Sequence, residues 1–155
     1  MPGKIQQEIQ QTKPIPSLEE EAYLNVQRTA NMLLQGLTEV LRRHDLTPTQ
    51  YNVLRILRGA GEKGLTAGEV GDRMITRDPD VTRLLDRLEK RGLAERWRCT
   101  HDRRVVWTRI TPAGLSAIAP LDDEIAEMHL RQLGHLGEER LTTLIALLES
   151  SREYA

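Results

Sequence analysis

The 155-residue sequence contains no phenylalanine, and aromatic residues make up 3% of it. Its core must therefore be built from Leu, Ile, Val, Ala and Met. A single cysteine, Cys99, excludes a disulfide within the chain. No apolar run approaches the roughly 20 residues that cross a bilayer. The opening Met1-Pro2-Gly3-Lys4-Ile5-Gln6-Gln7 lacks the apolar segment of a signal peptide. These absences lead us to expect a cytoplasmic protein with no membrane partner. Catalytic signatures are missing too, since no CxxC, HExxH, P-loop or nucleophile-elbow pattern occurs. The four histidines, His44, His101, His129 and His135, are scattered, and the six-residue step from His129 to His135 suits a metal pair poorly. We expect neither an enzyme nor a cofactor. Internal repeats and low-complexity linkers are also absent, leaving one domain with appendages.

What the chain does have is charge placed unevenly. The net charge is −1, yet from Arg73 to Arg109 eleven Lys/Arg face six Asp/Glu. Positive charge gathered on one segment marks a phosphate-facing surface, with the acidic remainder turned away from it.

That basic segment reads as a helix-turn-helix followed by a hairpin. Thr66-Ala67-Gly68-Glu69 is a capping box that opens a short helix through Met74. Asp78 is suited to cap the next helix, with Pro79 at its first position. Val81, Leu84, Leu85 and Leu88 keep helical spacing and form a buried back. Pro79, Arg83, Asp86 and Lys90 fall opposite, with Thr82 and Arg87 on the shoulders, and Gly92 ends the helix. An apolar back with a front of Thr, Arg and Lys suits a major groove. Residues 95–99 and 104–110 then read as two strands around a polar tip of His101, Asp102, Arg103 and Arg104. We expect Asp102 to pair with Arg104 and extend its guanidinium towards a minor groove.

The flanks read as helices. Residues 1–16 are Gln-rich and carry three prolines, predicting a flexible or extended arm, with an ordered arm across a partner subunit as the alternative. Ser17 caps a long helix with Val26, Ala30, Leu33, Leu34, Leu37 and Leu41 on one stripe, and Thr47-Pro48-Thr49-Gln50 opens a second. Residues 59–64 form a loop. Thr111-Pro112 starts a helix bent at Pro120, Gly134 and Gly137 bracket a turn, and Leu141, Leu144, Ile145 and Leu148 stripe the last helix. A small winged-helix core cannot cover all these stripes, so a homodimer with an isologous interface is expected. The predicted organisation is a flexible arm at 1–16, a dimerisation helix at 17–45, a DNA-binding unit at 46–111 and dimerisation helices at 112–155. The fold class is mainly α with a small β-hairpin wing.

Three stretches carry a family resemblance. The run from Asp102 to Gly114, with its Asp-x-Arg tip, strand and Ile-Thr-x-x-Gly lead into a helix, resembles the wing signature of the MarR family. Thr82 to Leu93 is similar to that family's recognition helix and exit, and Leu46 to Leu54 to its second helix. The motifs occur in the family's order, and the likeness runs from about residue 20 to the C-terminus. It implies a dimeric winged helix-turn-helix regulator that binds a pseudo-palindromic double-stranded operator, with recognition helices roughly 34–36 Å apart. It also implies that small aromatic or phenolic acids bind between the dimer helices and the winged helix.

From these readings the DNA-contacting set is Thr66, Arg77, Pro79, Asp80, Thr82, Arg83, Arg87, Lys90, His101, Asp102, Arg103 and Arg104. Arg77, Thr82 and Arg83 are expected near base edges, and Arg87 and Lys90 on phosphate. Asp80 departs from the small hydroxyl residue usual there in the family and is expected to pair with Arg77 or Arg83, with acceptance from cytosine N4 as the alternative. Tyr23, Arg42, His44 and Tyr51 are the expected ligand contacts. The reading is a repressor released by a small molecule. Its alternatives are a redox sensor acting through Cys99, whose thiol Arg96, Arg98 and Arg104 would activate, and a winged-helix module that binds protein.

Overall fold

The computed structural model describes residues 3–154; Met1 and Pro2 of the predicted arm lie outside it. Eight helices and three short strands follow in the order α1 (Lys4–Glu8), α2 (Leu18–Arg42), α3 (Pro48–Ala60), β1 (Leu65–Thr66), α4 (Ala67–Arg73), α5 (Val81–Lys90), β2 (Ala94–Arg98), β3 (Val106–Ile110), α6 (Pro112–Ile118), α7 (Leu121–Leu133) and α8 (Gly137–Arg152). Single 3₁₀ turns at Gly61–Lys63 and Gly134–Leu136 join their neighbours.

Helix boundaries follow the capping chemistry. Ser17, Thr47, Thr66 and Thr111 each accept a hydrogen bond from the backbone N–H three residues on, and Thr47–Gln50 and Thr66–Glu69 form complete capping boxes. Pro120 interrupts the C-terminal helix as its missing donor requires, separating α6 from α7. The predicted arm differs from expectation, because residues 4–8 form α1. Ile5 is buried, and Glu8 pairs with Arg28 of α2 at 3.0 Å. An isolated helix of this length does not persist in water, so packing against α2 sustains it.

One core runs through the molecule. Leu54, Leu57 and Val53 of α3 sit at its centre with Leu41, Val70, Leu85, Leu88, Ile118 and Leu121, all without appreciable exposure. Charged pairs on the surface fasten the α7 end to this core. Arg58 of α3 forks onto both carboxylate oxygens of Asp122 at 2.9 and 3.0 Å, and Arg43 and His44 both meet Glu124. Leu46 is buried just beyond α2, where Asp45 adopts φ +55° to turn the chain into α3.

The sheet has the order β1-β3-β2, antiparallel throughout. The two-residue β1 is a strand that periodicity does not disclose; it pairs Leu65 with Thr108 and Thr66 with Trp107. Gly64, just before it, takes φ +70°, and a Cβ there would press on Thr108 O and the Trp97 ring at 2.6 and 2.8 Å. Glycine is therefore required on two counts. Gly114, in the first turn of α6, has a different reason. A Cβ there would overlap Leu93 O and Ile110 Cγ1, because the helix start crosses directly over the chain leaving α5. Thr111 reinforces that crossing, its N–H meeting Leu93 O at 3.1 Å and its hydroxyl donating to Gly92 O at 2.6 Å.

Gly114→Ala is therefore expected to destabilise the fold by about 1–3 kcal/mol through overpacking, read as a lower denaturant midpoint at unchanged slope.

Candidate nucleic-acid interface

The outer face of α5 is built by its own sequence. Leu85 and Leu88 are buried, and Val81 and Leu84 half-buried, so Thr82, Arg83, Arg87 and Lys90 point outward and are exposed. The start of the helix departs from expectation. Asp78 and Pro79 precede it; Asp80 is the N-cap, its Oδ1 accepting from Arg83 N–H at 3.0 Å. Asp78 instead accepts from Asp80 N–H at 2.8 Å, a local Asx turn that competes with helix and delays it. Pro79 lies in that turn, exposed, rather than at the first helical position. The capping role also replaces the pairing expected of Asp80. Its carboxylate is spent on backbone, and no ion pair with Arg77 or Arg83 forms among the described residues.

The wing stands beside this helix. Along β2 and β3, Ala94, Arg96, Thr108 and Ile110 share one face and Glu95, Trp97, Trp107 and Arg109 the other. On the outer face Arg109 pairs with Glu95 and lies over the Trp97 ring at 4.9 Å. On the inner face Arg96 reaches α5, where its guanidinium bonds Asp86 and, at 3.0 Å, Glu89, while its N–H donates to Glu89 Oε2 at 3.0 Å. Asp86 and Glu89 are one helical turn apart, so a single arginine bridges both. The Arg96 hydrogen bonds hold the Glu89 carboxyl below its ordinary value of 4.5 and raise the guanidinium further. The sequence reading passed over Arg96 except as a neighbour of Cys99. Its position on the inward side of the strand alternation, opposite an i, i+3 acidic pair, was the available signal.

At the tip, Asp102 Oδ1 accepts from Arg104 N–H at 3.0 Å and lies 3.4 Å from Arg104 Nε. This is the pairing expected, and Arg104 remains 93% exposed on its side chain. Arg98 donates to Arg103 O at 2.7 Å, and Val105 N–H to Asp102 O at 3.0 Å, so the loop is bonded internally. His101, Asp102, Arg103 and Arg104 are all exposed. Between tip and helix lies a cleft of about 400 Å³ lined in part by Thr66, Thr82, Arg96 and Arg104, which brings three predicted contact residues to one surface. Thr66 itself is occupied in capping α4.

Charge on this face is sorted. The acidic side chains that pair with arginine are matched to Arg96, Arg104 and Arg109, whereas Arg77, Arg83, Arg87, Lys90 and Arg103 make no ion pair among the described residues. Cys99 lies at the end of β2, its N–H bonded to Val105 O. Its thiol is held below the ordinary value by the backbone amides of Asp102 and His101, with Trp107 adding a side-chain hydrogen bond, and not by the arginines expected to do so.

The four predicted ligand contacts do not converge. Tyr23 and Arg42 are exposed on α2, and His44 is engaged with Glu124. Tyr51 alone lines a cavity of about 160 Å³ between α2, α3, the α4–α5 turn and α7, together with Leu37, Asn52, Arg55, Ile125 and His129. Burial pushes the Tyr51 phenol upward, and Arg55 stacks 5.8 Å from its ring centroid. Among the described residues no group of His, Cys, Asp or Glu is placed to hold a metal ion, and no helix is long and apolar enough to cross a membrane.

Arg96→Met is expected to cost about 1–2 kcal/mol, since it strands two partly exposed carboxylates that charged hydrogen bonds now satisfy. Because the folded Glu89 value lies below its unfolded one, this stabilisation is full above about pH 4.5 and fades as pH falls through the folded value. Thermal unfolding of wild type and variant should therefore converge in acid.

Comparison with known proteins agrees with this geometry. The profile of the MarR family matches residues 44–105, spanning α3 to the wing tip. A MarR transcription factor from Planctomyces limnophilus is 40% identical, over 87% of this chain and 98% of that one, and its crystal structure superposes with a TM-score of 0.68. The repressor IacR of Pseudomonas putida is 28% identical over 74% of this chain and 68% of its own length. The PcaV transcriptional regulator from Streptomyces coelicolor, solved in complex with its natural ligand, is 27% identical, over 80% of this chain and 89% of that one, with a TM-score of 0.67. With a helix-turn-helix, a three-stranded wing and terminal helices, and 40% identity to a MarR transcription factor along nearly its whole length, the chain belongs to the MarR family of winged helix-turn-helix, DNA-binding transcriptional regulators.

Proposed function

We propose that this chain is a homodimeric repressor that binds a pseudo-palindromic operator and releases it when a small aromatic acid binds. The observation that carries the operator reading is the set of exposed cations on α5 and at the wing tip, of which Arg83, Arg87, Lys90 and Arg103 make no ion pair among the described residues, while nearby acidic groups are neutralised. Arg77, Thr82 and Arg83 lie where the helix would meet base edges, Arg87 and Lys90 farther along where phosphate would run, and Arg103 and Arg104 at the height of a minor groove. A protein-binding winged helix would need charge complementarity alone; a two-fold operator requires two such faces at fixed spacing.

The second face comes from a second copy. Leu18, Val26, Met32 and Leu34 on α2, Leu130 on α7, and Ile145, Leu147 and Leu148 on α8 are exposed in the single chain. Exposed large apolar side chains gathered on three terminal helices are what a covering partner would remove from water. Docked against a symmetry mate, these helices set the distance between recognition helices, as dimerisation does in the family.

A ligand acts on that distance. The cavity at Tyr51 touches helices that belong to both parts, with the cation of Arg55 and the imidazole of His129 beside apolar Leu37 and Ile125 in its lining. An aromatic carboxylate satisfies both requirements. IacR is a repressor and PcaV is solved with its natural ligand, which supports a ligand-released repressor here. Occupancy that favours a different separation of the two halves removes the dimer from DNA by its differential affinity.

Fluorescence anisotropy against DNA upstream of the chain's own gene, beside a scrambled duplex, tests the operator reading. Native duplex is expected to bind tightly as two chains per site, and Arg104→Ala to lose about 1.5–3 kcal/mol. Equal affinity for both duplexes across operator candidates would sink the sequence-reading role. For the ligand, millimolar 4-hydroxybenzoate is expected to lower operator affinity of wild type and to leave Arg55→Ala unmoved. Isothermal titration showing no binding to wild type would reject this ligand class.

A further inference from the structure

The residues between α4 and α5 decide where the recognition helix begins, yet they contain no regular structure. Met74 turns extended after its N–H closes onto Gly71 O at 3.3 Å, and the bond from Asp80 to Asp78 lies within the turn itself. Among the described residues, one hydrogen bond ties this turn to another part of the molecule: Ile75 N–H donates to Asn52 Oδ1 at 3.0 Å. Packing anchors the turn at its first residue, Met74, which rests partly buried against the core, but not at Ile75, which is 86% exposed.

Asn52 is well mounted for the task. It sits on α3 between Tyr51 and Val53, both buried in the core, so its backbone moves only if the core does. Its amide also lines the cavity at Tyr51, as do Ile75 and Thr76. One side chain therefore stands between the cavity and the peptide that leads into the recognition helix.

We propose that Asn52 is a positioning residue for operator binding: from the cavity wall, its carbonyl holds the α4–α5 turn and so sets the start of α5. Base contacts tolerate displacements of only about 0.5 Å, and beyond the Met74 anchor a turn with one external hydrogen bond is expected to shift by more than this once that bond is cut. The proposal deepens the ligand-responsive reading and rests on it in one respect. An occupant of the cavity would meet Asn52 and the turn together, giving it a direct route to α5. The positioning role itself holds without any ligand.

The test compares the full chain as wild type, Asn52→Leu and Asn52→Asp. Leucine keeps the volume and removes the acceptor; aspartate keeps the acceptor and so provides the rescue. Amide hydrogen exchange of residues 74–80 is expected to quicken about tenfold in Asn52→Leu, from loss of one hydrogen bond in a locally opening segment. Exchange over the wing, residues 94–110, stays unchanged, as does the thermal midpoint. On a duplex selected by binding from a random pool, Asn52→Leu is expected to bind about three- to tenfold more weakly than wild type. Its affinity for scrambled duplex is unaltered. Asn52→Asp restores slow exchange at 74–80. Wild-type exchange in Asn52→Leu overturns the proposal, and so does a parallel loss on selected and scrambled duplex or a failure of aspartate to restore protection. Titration with 4-hydroxybenzoate separates the two readings. No binding to wild type counts against the ligand, while the exchange comparison still decides Asn52.

Discussion

Arg96 joins the wing and helix α5 into one body. A hairpin of two five-residue strands is marginal in water by itself, and here its inner face carries few large apolar groups to glue it down. The guanidinium supplies the missing attachment by reaching two carboxylates one helical turn apart on α5, while the same residue's N–H holds one of them from the backbone. Wing tip and recognition helix then move together. That matters because a protein reading two grooves at once must fix the angle between its two readers. Strand β1 steadies the other edge of the wing, and the Thr111 bonds steady its exit.

The molecule sorts its ions by task. Acidic groups away from the basic face bind elements to one another, as Asp122 does to Arg58 and Glu124 to Arg43 and His44. Acidic groups within the basic face are consumed in backbone bonds or in pairs, so the positive field of that face comes from Arg77, Arg83, Arg87, Lys90 and Arg103, which make no ion pair among the described residues. A net charge near zero hides this division, since whole-chain charge averages over two populations with different functions.

Most of the architecture was legible in sequence because it is local. Caps at Ser17, Thr47, Thr66 and Thr111, the break at Pro120, and the apolar back of α5 each depend on residues within one or two turns. Reading failed where two local rules competed or where a partner lay far along the chain. Asp78 and Asp80 both qualify as caps, and the Asx turn decided between them. The glutamine-rich arm contains α1 because Ile5 and Glu8 find α2, a contact absent from any local window. Strand β1, the Arg96 bridge and the Asn52–Ile75 bond join residues 7 to 43 positions apart, beyond what periodicity reports. The ligand candidates fared worst. Tyr23, Arg42 and His44 were matched by position in the family, without a motif, and do not join Tyr51 in the lining of its cavity.

Helix α8 carries sixteen residues and no fully buried side chain. A helix with so little tertiary support from its own chain draws its order from whatever covers its apolar side. In the proposed dimer its helicity is a property of the assembly, and it is expected to melt upon dilution well before the α3-centred core does. In that dimer the α3-centred core, which includes residues of α2, α6 and α7, folds as a first-order event, while α8 gains its order in a second-order one coupled to the amount of protein present. On that proposal, a cell that halves its supply of this regulator loses more than half of its dimer when concentration is near the association midpoint.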